Sequence, residues 1–296
     1  MEKSLERFLH YLCVEKGFPE STTQAYRWDI GKGLIPFLKQ RGKSSLKRVT
    51  RDDIRAYLDY LATVKGNSNA TRARKLAAIK SLFNYLVANE GLKTNPAAQL
   101  ASPKIPEKEP EYLTDEESIR LLRTIARDAR PPVRERDMAM IVLFHHSGLR
   151  VSELTNLELT NVDLESRQMK ITRKGNKEQY LHLNRETTAA LANYLAQRPK
   201  TGNGRFFVGN AGGDLDRRYI YSLVRRYLKL AGIEKDKQGP HLLRHTFCTR
   251  LHQKGVALFT IKELAGHKQI STTMRYVRIE NKEQAEAVDR LEFGIL

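Results

Sequence analysis

PHLLRHTFCTRLHQKGVALFTIKELAGHKQISTTMRYVRI, residues 240–279, decides how the rest of the chain is read. Pro240 opens a helix, and His241 and Arg244 then stand three positions apart, on neighbouring parts of one face. His267 follows Gly266, the residue expected where backbone passes close to a ligand or another chain. Tyr276 comes nine residues later, in a short segment that Ser271 is expected to N-cap. All four side chains suit one ligand type, a phosphodiester. A tyrosine hydroxyl has a pKa near ~10 and is a poor nucleophile at neutral pH without help. Arginine donors on the phosphate oxygens lower the barrier by neutralising charge as an oxygen attacks. A single tyrosine in a helix is more often core or interface than nucleophile. The set H-x-x-R-H-T, G-H and Y is far narrower than any of its parts, and it requires a second arginine elsewhere.

The 296 residues suit two domains, each able to bury a core. The formal charge of +18 makes a polyanion, nucleic acid first, the leading partner. The excess is shared, +10 over residues 1–104 and +8 over the rest, so both halves are expected to touch it. Cys13 and Cys248, two thiols far apart, exclude a disulfide framework or a cysteine zinc cluster and fit a reducing cytoplasm. The N-terminal stretch MEKSLERFLHYLCVEKG interleaves charges with apolar residues, unlike a signal peptide, and no apolar run approaches a membrane span.

Residues 1–100 read as all helical. Leu5, Phe8, Leu9 and Leu12 keep helical spacing until Gly17-Phe18-Pro19. A second helix carries Tyr26, Ile30 and Leu34; a third, capped at Thr50–Asp53, carries Ile54, Tyr57, Leu58 and Leu61. The fourth runs from about Ser68 to Asn89, with Leu76, Ile79, Phe83, Leu86 and Val87 as its core stripe. Its basic residues Arg72, Arg74, Lys75 and Lys80 gather toward the N-terminal half, itself a phosphate-attracting end. They do not form one clean face, and both DNA contact and an ordinary solvated surface stay open for each. Residues 91–112 contain four prolines, and within them 101–112 form a semi-stiff linker to a second domain, 113–296.

That second domain opens on a capping box at Thr114–Glu117, before Ile119, Leu121, Leu122 and Ile125. An apolar helix, 138–144, leads into Ser147-Gly148-Leu149-Arg150, and Arg150 is the second arginine sought. Residues 167–183 read as a β-hairpin, with Met169 and Ile171 facing Leu181 and Leu183 across a turn holding Lys174 and Lys177. A turn lysine can reach a DNA groove or a backbone oxygen, although most are simply solvated. A helix at 186–197, a short strand at 205–208, a basic helix at 216–231 and a C-terminal helix at 281–292 complete the pattern. The fold class is therefore mainly α with a small antiparallel β-sheet.

GLRVSEL around Arg150, TRKGNKE with Lys174, HLLRHTF with His241 and Arg244, AGH with His267 and TTMRY with Tyr276 together resemble the tyrosine recombinases, nearest their Xer and phage-integrase branch. The resemblance spans the chain, with the motifs in order. It implies a helical core-binding domain of SAM-like type followed by a mixed catalytic domain. Residue by residue, it implies that Tyr276 attacks the scissile phosphate, forms a 3′-phosphotyrosyl link and frees a 5′-hydroxyl. Arg150 and Arg244 would grip the non-bridging oxygens, and Lys174 would protonate the leaving oxygen. His241 would assist proton transfer near the nucleophile, and His267 would hydrogen-bond the phosphate. Cationic and hydrogen-bonding side chains can do here what a metal does elsewhere, so neither metal nor other cofactor nor ATP is expected. The implied partners are double-stranded DNA with an inverted-repeat core site and further copies of the chain. These would form a tetramer on two DNA sites through the apolar C-terminal segment and pass through a Holliday junction. Cys248, Lys268 and Arg278 depart from the family pattern without removing a catalytic group.

Dimer resolution and integration or excision of a mobile element both remain open as biological roles. The competing activities are a type IB-like topoisomerase and a non-catalytic DNA-binding protein of the same fold. The charge makes the first prediction: affinity for duplex DNA should fall with salt at a log–log slope of about −0.9 per phosphate contacted, measured by fluorescence anisotropy. An affinity indifferent to salt would contradict it.

Overall fold

A computed structural model describes residues 1–106, 110–173 and 177–276. The chain divides into two compact units, Met1–Glu107 and Lys108–Leu296.

The N-terminal unit is helical. Its elements are α1 (Glu2–Val14), α2 (Glu20–Tyr26), a π-helical turn (Arg27–Leu34), α3 (Ile35–Gln40), α4 (Arg51–Thr63) and α5 (Asn69–Asn89). The second predicted helix is thus one long helix, α2 to α3, widened in its middle. The caps follow from short polar side chains. Thr50 accepts the Asp53 N–H while Asp53 returns the bond to the Thr50 N–H, and Ser68 accepts the Thr71 N–H. Phe8, Ile30, Leu34, Leu38, Ile54, Leu76, Ile79 and Phe83 form the core, each at most 1% exposed. Val87 does not join them: it is exposed, and Leu82 takes the buried place, because Val87 lies about 100° beyond Leu86 around the helix.

Charge is buried here too. Asp29, 2% exposed, accepts from Arg74 and, at 3.0 Å, from Lys75 Nζ. Arg72 donates to Asn69 Oδ1 at 2.7 Å, and the Lys80 carbonyl accepts from Asn95. Arg74 and Lys75, read from sequence as DNA contacts or solvated charges, both pair with this carboxylate of the π-helical turn, Lys75 largely buried and Arg74 still half exposed.

The C-terminal unit holds α6 (Asp115–Asp128), α7 (Val133–Ser147), α8 (Val151–Thr155), β1 (Val162–Asp163), β2 (Gln168–Arg173), β3 (Lys177–His182), α9 (Arg185–Gln197), α10 (Arg217–Leu230), α11 (Pro240–Gln253), α12 (Leu258–Ala265) and α13 (Ile270–Met274). The strands form an antiparallel sheet in the order β1-β2-β3, with Met169 opposite Leu181 and Arg173 opposite Lys177. Alternation sends Met169, Ile171, Leu181 and Leu183 into the core that residues of α7 and α9 also build. Residues 205–208 are not a strand: Arg205 and Val208 make single bridges, to Glu158 and Asp214. Of the apolar residues that follow the Thr114–Glu117 capping box, Leu121 and Ile125 are buried and Ile119 is half exposed. The expected helix at 281–292 and Arg278 lie outside the described residues. No helix among the described residues is long and apolar enough to cross a membrane.

Substituting Asp29→Asn should leave Lys75, only 12% exposed, without its counter-charge. The expected loss is about 1.5–3 kcal/mol of N-terminal unit stability, read by chemical denaturation. An unchanged midpoint would show that Arg74 and Lys75 are not held by this carboxylate.

Candidate active site

Three helix junctions meet in the C-terminal unit. Helix α7 ends at Gly148, left-handed at φ 59, where a Cβ would strike the Phe247 ring. Helix α12 ends the same way at Gly266, φ 63, where a Cβ would come within 2.8–3.0 Å of the Arg173 guanidinium. Between them, Arg150 is the N-cap residue of α8. Its backbone N–H donates to Glu153 Oε2 at 2.8 Å, and its Nη1 to Oε1 at 2.8 Å.

Arginines gather around the C-terminal carbonyls of α12. Arg150 Nη2 donates to the Gly266 carbonyl at 2.8 Å. Arg244, 4% exposed on α11, donates to the carbonyls of Gly148 and Ala265. Arg173 donates to the Leu264 carbonyl at 2.7 Å and to the Ala265 carbonyl at 3.3 Å, and at 2.8 Å to Glu153. A helix C-terminus carries unpaired carbonyls and partial negative charge, so cations are stabilised there. Burial, then the nearby Arg150, pulls the Arg244 pKa down to about 10, which leaves it charged at neutral pH.

Tyr276 follows α13 and folds back onto α11. The short helix is preceded by Gln269, so Ser271 is not its N-cap. The Tyr276 ring stacks on His267 (centroids 6.2 Å apart, planes at 11°) and packs with Phe247, Cys248, Ile261 and Ala265. His267 is oriented in turn by Thr273 Oγ1, 2.9 Å from its Nδ1. The phenol is 7% exposed, and its hydroxyl lies 2.6 Å from His245 Nδ1. Burial first, then the Cys248 thiol, raises the Tyr276 pKa well above its ordinary value, with Arg244 opposing. Burial followed by cationic neighbours, Arg244 and Arg150, holds His267 at about 4. His245 is likewise held at about 4, by burial and then by His241, Arg275, Lys237 and Arg244.

The structure thus brings Arg150, Arg244, His267 and Tyr276 together. His241 sits apart from the phenol, at the exposed start of α11 with its ring 6.4 Å from Tyr221, and the histidine at the Tyr276 hydroxyl is His245. The separation is along the helix and not around it: residues 241, 245 and 248 share one face of α11, and Tyr276 lands on 245 and 248, a turn or more beyond His241. Lys174 lies outside the described residues; β2 ends beside it at Arg173. Lys177 is exposed at the start of β3, while Arg72, Arg74, Lys75 and Lys80 belong to the N-terminal unit.

Besides His245, two residues of the site escaped the sequence reading. Arg173 falls in register with Met169 and Ile171 on the buried face of β2, and an arginine at an apolar position was the available signal of a buried partner. Glu153, 7% exposed, is that partner, three residues beyond Arg150 in the GLRVSEL motif.

Behind the site, burial first and then His146 and Arg250 hold His145 at about 3. The unfolded chain therefore binds more protons than the folded one between pH ~6.5 and that value, and stability falls as pH drops through this window. His145 alone should contribute a slope of about 1.4 kcal/mol per pH unit. Denaturation midpoints at pH 7 and 4.5 should converge in His145→Phe relative to wild type; equal slopes would remove His145 as a cause.

The chain matches the model of the phage integrase family over residues 111–283 and that of the phage integrase N-terminal SAM-like domain over residues 5–90. It is 34% identical to tyrosine recombinase XerC of Caldanaerobacter subterraneus, covering 97% of this chain and 86% of that protein. It is 33% identical to tyrosine recombinase XerD of Yersinia pestis, covering 93% and 92%. Among solved structures, XerH site-specific recombinase bound to difH substrate superposes with a TM-score of 0.74 at 26% identity, covering 91% of this chain and 79% of that one. Family models over both halves and relatives along nearly the whole length place the chain in the phage integrase family, among its Xer-type tyrosine recombinases.

Proposed function

We propose that this chain is a site-specific DNA recombinase that cuts and rejoins strands through a phosphotyrosyl bond at Tyr276. The observation that carries the reading is the convergence of two arginines, Arg150 and Arg244, with His267 around the end of α12, and the packing of Tyr276 against that histidine. Phosphoryl transfer asks mainly for positioning and charge neutralisation. Arg150 and Arg244 take the non-bridging oxygens of the scissile phosphate, His267 donates to one of them, and Lys174 protonates the leaving 5′-oxygen. The phosphotyrosyl ester conserves the energy of the broken bond, so rejoining needs no ATP. With these cations and hydrogen-bond donors supplying the electrostatics, cleavage proceeds without a metal ion.

Residues 1–100 serve as the core-binding domain and residues 113–296 as the catalytic domain, joined by the linker at 101–112, so that both contact duplex DNA carrying an inverted-repeat core site. Arg72 and Lys80 are kept as candidate phosphate contacts, with Lys177 at the hairpin. Arg74, half exposed beside Asp29, is kept with them, while the largely buried Lys75 contributes through the Asp29 cluster. The apolar C-terminal segment links protomers into a tetramer on two sites, and the protein acts in the cytoplasm.

The test is covalent trapping on a nicked synthetic site. Wild-type protein should form an adduct in the presence of EDTA, and Tyr276→Phe should bind the same DNA yet form none. Arg244→Ala should slow adduct formation by roughly 10²–10³, the order for one lost transition-state donor. An adduct in Tyr276→Phe would remove the nucleophile assignment, and an adduct abolished by EDTA would point to a metal-dependent nuclease.

A further inference from the structure

Arg173 ends β2, and the next residue in the chain is Lys174, the proton donor of the reaction proposed above. Along β2 the inward positions are Met169, Ile171 and Arg173, so an arginine stands where alternation asks for an apolar side chain. Each nitrogen of its guanidinium is engaged. Nη1 donates to Glu153 Oε2 at 2.8 Å, Nη2 to the Leu264 carbonyl at 2.7 Å, and Nε to Gln179 Oε1 at 2.8 Å. Gln179 stands opposite Ile171 on β3, and its own Nε2 donates to the Glu263 carbonyl at 3.0 Å. Both strands of the hairpin are thus tied to the last turn of α12, through a guanidinium that shares its carboxylate with Arg150. Gly266 leaves the room this needs, since a Cβ there would lie 2.8 Å from Arg173 Nε. We infer that Arg173 is a positioning residue for leaving-group protonation: it fixes the base of the hairpin against α12 and so sets where the Lys174 amine meets the 5′-oxygen. The inference rests on the phosphotyrosyl reading above.

Arg173 does not itself serve the phosphate. It is 8% exposed, and its nitrogens already have acceptors within the protein. What it controls is geometry. A proton donor works from within about 2.6–3.2 Å of the oxygen it protonates, and a misplacement of about 1 Å costs on the order of 10² in rate. A side chain carried on a hairpin turn reaches that precision only if the strands leading to it are held. Glu153 takes Arg150 on one oxygen and shares the other between the Arg150 N–H and Arg173, so the grip on the non-bridging oxygens and the base of the hairpin have a common anchor. A lysine at 173 could not replace the fork, because its donors all sit on one nitrogen and cannot span Glu153, Gln179 and the α12 carbonyls together. In the step concerned, the P–O5′ bond breaks with its electron pair going to O5′, which takes a proton from Lys174. With sulfur in place of that oxygen the pair leaves as a thiolate and no proton is needed, because a thiol is far more acidic than a sugar hydroxyl.

The test uses the full chain on two versions of the nicked site, one with the ordinary 5′-bridging oxygen and one with sulfur there, with DNA affinity measured alongside adduct formation. Arg173→Lys keeps a charge beside Glu153 but loses the fork. It should form adduct about 10²-fold more slowly on the oxygen site, the order for a misplaced catalytic group, and close to the wild-type rate on the sulfur site. Lys174→Ala should show the same rescue, while Arg244→Ala should stay slow on both. Combining Arg173→Lys with Lys174→Ala should be no slower on the oxygen site than Lys174→Ala alone, since a displaced donor and a missing one are the same loss. Equal losses of Arg173→Lys on the two sites would overturn the inference, as would a wild-type rate on oxygen or a loss that only tracks DNA affinity. Where Arg173→Lys does not fold, Gln179→Ala carries the same comparison, because it cuts the β3 tie and leaves the Glu153 pair in place. A loss confined to the oxygen site is expected of it, and a loss on both sites or on neither overturns the inference. Wild-type protein that forms no adduct on either site, or Lys174→Ala that sulfur does not rescue, would instead sink the phosphotyrosyl reading beneath it.

Discussion

The Glu153 carboxylate, buried between Arg150 and Arg173, is the interaction on which the catalytic unit depends. One oxygen takes Arg150 Nη1; the other takes the Arg150 N–H and Arg173 Nη1. Both guanidiniums are thereby aimed at the last carbonyls of α12, where Arg244 joins them from α11. Three cations would repel one another if left unscreened in a protein interior. Here one carboxylate and a row of carbonyl dipoles offset part of that cost, and the remaining positive field is what a phosphodiester would meet. The same anchoring fixes Gly266, and with it the direction in which His267 leaves the helix.

The setting of Tyr276 is dry on one side and cationic on the other. Tyr276 packs among Phe247, Cys248, Ile261 and Ala265, which disfavours the phenolate; Arg244 and Arg275 favour it. His245 and His267 are kept neutral chiefly by burial, with Arg244 acting on both, so each can exchange a hydrogen bond without adding another positive charge.

The N-terminal unit uses its charge differently. Asp29 in the π-helical turn pairs with Arg74, which stays half exposed, and with the largely buried Lys75, so part of the basic character of α5 ties that helix to the turn. Net charge counted along a sequence thus overstates what is free to meet a polyanion. The excess on this chain is large enough that the point alters which residues make contact, not whether the surface is basic.

The sequence by itself determined the element types and most of the core. Leu5, Phe8, Leu9 and Leu12, or Met169 and Ile171 against Leu181 and Leu183, show their faces through periodicity, a property of each element alone. It also determined the chemical set, Arg150, Arg244, His267 and Tyr276, because such residues in such order are rare. Only the tertiary structure decided which histidine meets the phenol, that Arg173 and Glu153 complete the arginine cluster, and that residues 205–208 make bridges instead of a strand. Those outcomes depend on how α13 turns back over α11 and how β2 ends against α12. Contacts between elements distant in sequence are set by packing across the whole unit, and no local spacing encodes them.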